Sequence, residues 1–170
     1  IQMLQRQVHG PLNEKQFKVL ETLEKSSHHL LSLINDILDM GKFEMGQVDL
    51  DDEPVQVSEI CHNSIELVQE MADQKHVVLT TDIHPGTGVI QADRRRLQQI
   101  LTNLLHNAVK FTNSGGQVGL RVHQSSSADA MVFQVWDTGI GIRSADLSRL
   151  FRPFVQLDSS LTRRHEGTGL

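Results

Sequence analysis

Two asparagines four residues apart, Asn103 and Asn107, and a lysine three positions further on, Lys110, are the side chains of this sequence best spaced for chemistry. Amide oxygens are hard ligands suited to Mg²⁺, and an adjacent ammonium neutralises phosphate charge. On a helix the three fall within an arc of about 60°, so they present one polar face. A second candidate is Asp137 in the run DTGIGI, residues 137–142. A carboxylate at a strand end accepts hydrogen bonds without donating any, which suits an exocyclic amine such as that of adenine. Gly139 and Gly141 let the backbone approach a ligand closely. A third is Gly167-Thr168-Gly169 at the end of the chain, where backbone N–H groups can cradle phosphates. Each signal is short and has a plain alternative: a solvated stripe beside a core face for the asparagines, an ordinary polar turn for the glycines.

These residues need a scaffold. Residues 97–112, LQQILTNLLHNAVKFT, read as a helix, with Leu97, Ile100, Leu101, Leu104, Leu105 and Ala108 at helical spacing for burial of one face. Asp93 is placed to cap its start. Residues 77–83 and 89–92 read as strands, separated by the turn HPGTG, and 57–75 as a helix. Residues 117–123 and 131–136 alternate as two strands, and Asp137 ends the second. One sheet covered by helices in mixed order predicts an α+β sandwich. Residues 143–166 are too long for a plain connection and read as a lid: a short helix near 144–151, then Phe151-Arg152-Pro153-Phe154, then a polar stretch. Phe151 and Phe154 would anchor it, and Arg149, Arg163 and Arg164 either reach phosphates or are solvated.

Ahead of this domain, residues 1–8 read as the last turns of a helix and 9–13 as a turn, followed by a long helix over 14–44. Leu20, Leu23, Ser27, Leu30, Ile34 and Ile37, widened by Leu31 and Leu38, form a heptad seam. A helix pair of this size cannot bury such a seam alone and is expected to dimerise into a four-helix bundle, unless the helix packs on its own domain. The acidic stretch 46–54, GQVDLDDEP, marks the boundary between domains 1–45 and 46–170. The 170 residues, with 38% hydrophobic and 22% charged, have the composition of a soluble globular protein. A net charge of −5 argues against nucleic acid as a partner. The one cysteine, Cys61, excludes an internal disulfide, reads as a small buried hydrophobe, and fits a cytoplasmic location. No apolar run reaches the length of a membrane span, although a membrane-anchored parent protein stays open.

Taken together, the chain resembles the catalytic core of a two-component sensor histidine kinase of the GHKL superfamily. NLLHNAVKFT resembles the family's asparagine box, DTGIGI its first glycine box, LFRPF its phenylalanine box and GTGL the start of its second glycine box. HLLSLINDILDMGKFEMG is similar to the second helix of the dimerisation and phosphotransfer hairpin. The likeness runs over nearly the whole chain, in the family's order. It implies that Asn107 coordinates Mg²⁺ with Asn103 supporting it one turn earlier, that Lys110 contacts phosphate, and that Phe111 packs beside the adenine. It implies that Asp137 receives the adenine amine, that Gly139, Ile140 and Gly141 shape the pocket floor, and that Gly167, Thr168, Gly169 and Leu170 line the phosphates with Phe154 nearby. Arg149 matches a lid arginine that approaches the γ-phosphate. The implied reaction is phosphoryl transfer from Mg·ATP to a histidine and then to an aspartate of a response regulator, by a homodimer.

The sequence departs from the family pattern in two respects, one of which is that it stops at Leu170, before the rest of the second glycine box. The phospho-acceptor box, a histidine followed by an acidic residue and Arg/Lys-Thr-Pro, is absent. His9 is followed by Gly-Pro-Leu, and His28 and His29 lack the required neighbours, so none of the three is read as the acceptor. The sequence is therefore expected to be a fragment that cannot phosphorylate itself. Two other classes compete. A hydrolytic GHKL ATPase needs a general base, and that branch has a glutamate where this chain has Asn103. A non-catalytic nucleotide-binding dimerisation module requires no acceptor.

Overall fold

The structure, a computed structural model of the chain, describes residues 2–5, 8, 10–44, 50–127 and 130–150, with the side chains of the long helix described in part. Helices α1 (Gln2–Gln5) and α2 (Glu14–Glu44) lie in one compact unit, and Asp49–Leu147 forms the other. Helix α2 starts where a reciprocal cap forms. The Asn13 side chain accepts from the Gln16 backbone N–H at 2.9 Å, and the Gln16 side chain accepts from the Asn13 N–H at 2.9 Å. Of the seam, Leu20 is buried, whereas Leu23, Leu30 (58% exposed), Leu31 and Ile34 (45% exposed) face solvent in the single chain.

The larger unit holds β1 (Glu53–Gln56), α3 (Val57–Lys75), β2 (Val78–Ile83), β3 (Val89–Ala92), α4 (Arg94–Phe111), β4 (Gln117–Gln124) and β5 (Met131–Asp137), and a 3₁₀ turn (Ser144–Arg149) begins in it and runs past its end at Leu147. Strand β1 begins at Glu53 and Pro54, the last two residues of the stretch expected to be only a boundary. Its pattern was masked by three acidic residues and by Pro54, which a two-stranded antiparallel ribbon tolerates because it lacks only one donor. Val55 alone of its four residues is buried, and β1 pairs with β3 so that Val55 sits opposite Ile90. The expected helix near 144–151 is instead the 3₁₀ turn, ending at Arg149.

The main sheet has the order β2-β4-β5, parallel between β2 and β4 and antiparallel between β4 and β5. Alternation along β4 turns Val118, Leu120 and Val122 into the core, where α3 and α4 pack against the sheet and each other. Helix α3 contributes Ile60, Cys61, Val68 and Ala72; α4 contributes Leu101, Leu105, Ala108 and Val109. Helix α3 ends in a left-handed residue, His76 (φ +56°), with the Val77 N–H donating to the Ala72 carbonyl at 2.8 Å and the His76 N–H to that of Asp73 at 3.1 Å. Among the described residues no helix is long and apolar enough to cross a membrane.

Burial without a compensating charge pushes the Cys61 thiol up to about 11. The thiol is therefore neutral at pH 8 and inert. Ellman's reagent is expected to leave Cys61 unmodified in the native protein and to react promptly in denaturant. His76 occupies a conformation that a Cβ disfavours, so His76→Gly is expected to raise stability by about 0.5–1 kcal/mol in urea unfolding, after the entropy of a freer unfolded chain is subtracted.

Candidate functional site

Helix α4 positions the first three candidates. Asp93 caps it, its Oδ1 accepting from the Arg96 N–H at 2.9 Å. That bond, ahead of the Asp51 N–H and the charges of Arg95 and Arg96, holds its carboxyl below the usual range. The buried stripe Leu101, Leu105, Ala108 and Val109 faces the core, and Asn103 and Asn107 are exposed on the opposite side, one turn apart. Ile100 (56% exposed) and Leu104 (41% exposed) do not join the core as expected. At 100° per residue they lie between the buried stripe and the asparagine face, so they form an apolar margin beside Asn103 and Asn107. The buried stripe is therefore narrower than the hydrophobic spacing predicts.

Lys110 closes this face. It is half-buried, burial lowers its pKa from the usual lysine value, and its Nζ stands 5.4 Å from the centroid of the Phe111 ring, within range of a cation–π contact. Partial burial and, after it, the charge of Lys110 keep the neighbouring His106 imidazole below its ordinary pKa, so it is neutral at pH 7.

The run DTGIGI is held against the same end of α4. Val118 and Asp137 are paired in the ladder, and the Thr138 N–H donates to the Gln117 carbonyl at 3.0 Å. The Gln117 N–H donates in return to Thr138 Oγ1 at 2.9 Å. Asp137 Oδ1 accepts from the Gly139 N–H at 2.8 Å, fixing the carboxylate in a local turn. Asp137 is exposed, and its second oxygen has no partner among the described residues. The Ile140 N–H donates to the Phe111 carbonyl at 3.2 Å, joining the turn to the end of the asparagine helix. Glycine is required at 139, because a Cβ there would lie 2.4 Å from the Phe111 carbonyl oxygen. Gly141 adopts φ +68° and has open space around it.

Phe111, at the end of α4, meets Gly139 and Ile140 of the glycine turn that follows Asp137, while Asn103, Asn107 and Lys110 lie along the C-terminal half of the same helix. Arg149 ends the 3₁₀ turn, beyond Leu147 where this compact unit stops. Phe151, Phe154, Arg163, Arg164, Gly167, Thr168, Gly169 and Leu170 lie outside the described residues, as does His9. Two contributors were not singled out from sequence. Thr138 ties the glycine turn to β4 through its hydroxyl. Lys75 donates to the carbonyls of Val109, Lys110 and Thr112 at 2.9, 2.5 and 2.8 Å. A lysine in the last turn of a helix is so common that it carries no local signal.

Comparison with known proteins gives concordant matches. Residues 92–170 match the family described as histidine kinase-, DNA gyrase B-, and HSP90-like ATPase, and residues 1–46 match the His Kinase A (phospho-acceptor) domain. The chain is 43% identical over 169 residues to the circadian input-output histidine kinase CikA of Synechococcus elongatus, covering 98% of this chain and 22% of the relative. It is 38% identical over 162 residues to the sensor protein GacS of Pseudomonas syringae, covering 94% of this chain and 18% of that protein. Among solved structures, full-length ShkA in complex with AMPPNP superposes with a TM-score of 0.77 at 31% identity, over 96% of this chain and 33% of that one. The chain spans between a fifth and a third of the length of the first curated relatives it matches.

The two glycines of the turn are expected to differ in what they tolerate. Gly141→Ala should lower stability by about 1 kcal/mol, the ordinary penalty of a left-handed alanine. Gly139→Ala must displace backbone, with an expected loss on the order of 1–3 kcal/mol. Urea unfolding of both variants checks the order; equal losses would show that the Phe111 contact is not what fixes the turn.

Proposed function

We propose that the chain, whose residues 1–46 match a phospho-acceptor domain and 92–170 an ATPase-type family, is a histidine kinase core that binds Mg·ATP on the exposed face of α4 and transfers the γ-phosphate to a histidine. The observation that carries this function is that the end of α4, which bears the exposed Asn107 and the half-buried Lys110, is joined to the Asp137 turn by the Ile140–Phe111 hydrogen bond. The ATP-binding description of the matched family and the AMPPNP bound to the ShkA relative support the nucleotide.

The residues fit their roles chemically. A hard amide oxygen on an exposed helix face suits Mg²⁺, which keeps several waters and takes few protein ligands beside substrate phosphates. Asn107 would hold the ion, and Asn103, one turn earlier, would support it. The ion supplies charge neutralisation across the phosphates. Lys110, held over the Phe111 ring, adds a second positive charge, and Arg149 is the candidate for a third. Asp137 accepts the adenine amine through the oxygen that the Gly139 N–H leaves available. Gly139, Ile140 and Gly141 form the floor, and Phe154, Gly167, Thr168, Gly169 and Leu170, outside the described residues, are the further candidates for contact with the nucleotide.

Phosphoryl transfer asks mainly for positioning and electrostatics, both of which these groups provide. The histidine nitrogen attacks the γ-phosphorus, the bond to the β–γ bridging oxygen breaks, and ADP leaves. The phosphohistidine then passes its phosphoryl group to an aspartate of a response regulator. Asn103 in place of a glutamate base argues against water activation. The solvent-facing Leu23, Leu30, Leu31 and Ile34 of α2 support a homodimer built on the helical hairpin, with domains 1–45 and 46–170.

The test uses a form of the protein that carries a phospho-acceptor histidine upstream, supplied with γ-labelled ATP and Mg²⁺ and compared with Asn107→Ala. The expected result is acid-labile, alkali-stable label on the wild type, reduced at least about 100-fold in the variant, as for loss of a transition-state charge contact. A wild type that binds nucleotide without taking label would leave the non-catalytic module or the hydrolytic ATPase as the better account.

A further inference from the structure

Every backbone carbonyl in the last turn of an α-helix lacks an intrahelical donor, and a buried carbonyl left unpaired is costly. At the end of α4 each donor is identifiable. The Ala108 carbonyl accepts from the Thr112 N–H at 3.0 Å and from Thr112 Oγ1 at 2.7 Å. The Phe111 carbonyl accepts from the Ile140 N–H of the glycine turn. The carbonyls of Val109, Lys110 and Thr112 all accept from one group, the Lys75 ammonium at the end of α3. A single side chain therefore supplies the C-terminal cap of the helix that bears Asn103, Asn107 and Lys110.

The neighbouring loop repeats the connection. The Gly115 N–H donates to the His76 carbonyl at 2.9 Å, and the Val78 N–H to that of Gly116 at 3.0 Å. The segment leaving α4 is thus pinned to the segment leaving α3, with the lysine between them. Burial lowers the pKa of the half-buried ammonium, and a helix C-terminus favours its charged form.

We propose that Lys75 is a positioning residue for nucleotide binding: by tying the carbonyls of Val109, Lys110 and Thr112 it fixes the end of α4 against which the Asp137–Gly141 turn docks. This rests on the ATP-binding function proposed above. Removing the ammonium leaves three carbonyls to find other donors. The last turn of α4 then loosens, Lys110 shifts with its backbone, and the Phe111–Ile140 bond, which holds the turn, loses its fixed acceptor.

The 170-residue chain is titrated calorimetrically with Mg·AMPPNP as wild type, Lys75→Met, Lys75→Gln, Lys75→Arg and Val68→Ala. Val68 is buried in α3 away from the candidate residues, and its truncation controls for lost stability. Lys75→Met keeps the aliphatic stem and is expected to raise Kd at least about tenfold, the equivalent of one lost charge-assisted bond. Lys75→Gln, which retains a neutral donor, should fall between, and stands in if Lys75→Met does not fold. Lys75→Arg should stay within about threefold of wild type. Hydrogen exchange of the Ile140 amide, measured without nucleotide, should accelerate in Lys75→Met and Lys75→Gln but not in Val68→Ala at matched loss of Tm. Equal weakening by Val68→Ala, or Lys75→Met and Lys75→Gln binding like wild type, overturns the positioning role while leaving nucleotide binding intact. A wild type that fails to bind overturns the ATP-binding function itself, and the positioning role with it.

Discussion

The carbonyls that α4 cannot pair within itself are the constraint on which the larger unit turns. Helix ends demand donors, and here the donors come from two other elements: the α3 lysine and the turn that follows β5. The outcome is geometric. The C-terminal end of the asparagine helix becomes the meeting point of α3, β4 and the glycine turn, so side chains remote in sequence stand near one another. Position 139 is restricted to glycine by the same contact, because the Phe111 carbonyl occupies the space of a Cβ.

The core below makes that arrangement possible. Helix α4 gives one face to Val118, Leu120 and Val122 of β4 and leaves the other to solvent. Asparagine is a weak helix former and has no reason to recur on an exposed helix face for stability. The exposed apolar side chains Ile100 and Leu104 flank the two exposed amides on this face.

The two units of the chain meet different demands. Leu23, Leu30, Leu31 and Ile34 of α2 recur at heptad spacing and face solvent in the single chain. The ATPase-type unit is closed by its own core.

By itself, the sequence determined the element types and most of their limits, because periodicity and capping are local. Helix α3 spans Val57–Lys75 and β3 spans Val89–Ala92 as expected, Asp93 caps α4, and strand alternation fixed which face of β4 is buried. The motif residues Asn103, Asn107, Lys110 and Asp137 were legible for the same reason, since each sits at a fixed offset within its own element. Strand β1 was not, because its pairing with β3 outweighs the proline and acidic residues that locally oppose a strand. The true width of the α4 core stripe, the role of Thr138 and the three carbonyls gathered by Lys75 were decided by the tertiary structure alone. They depend on which elements become neighbours, and a hydrogen bond spanning 34 to 37 residues leaves no pattern in the local sequence.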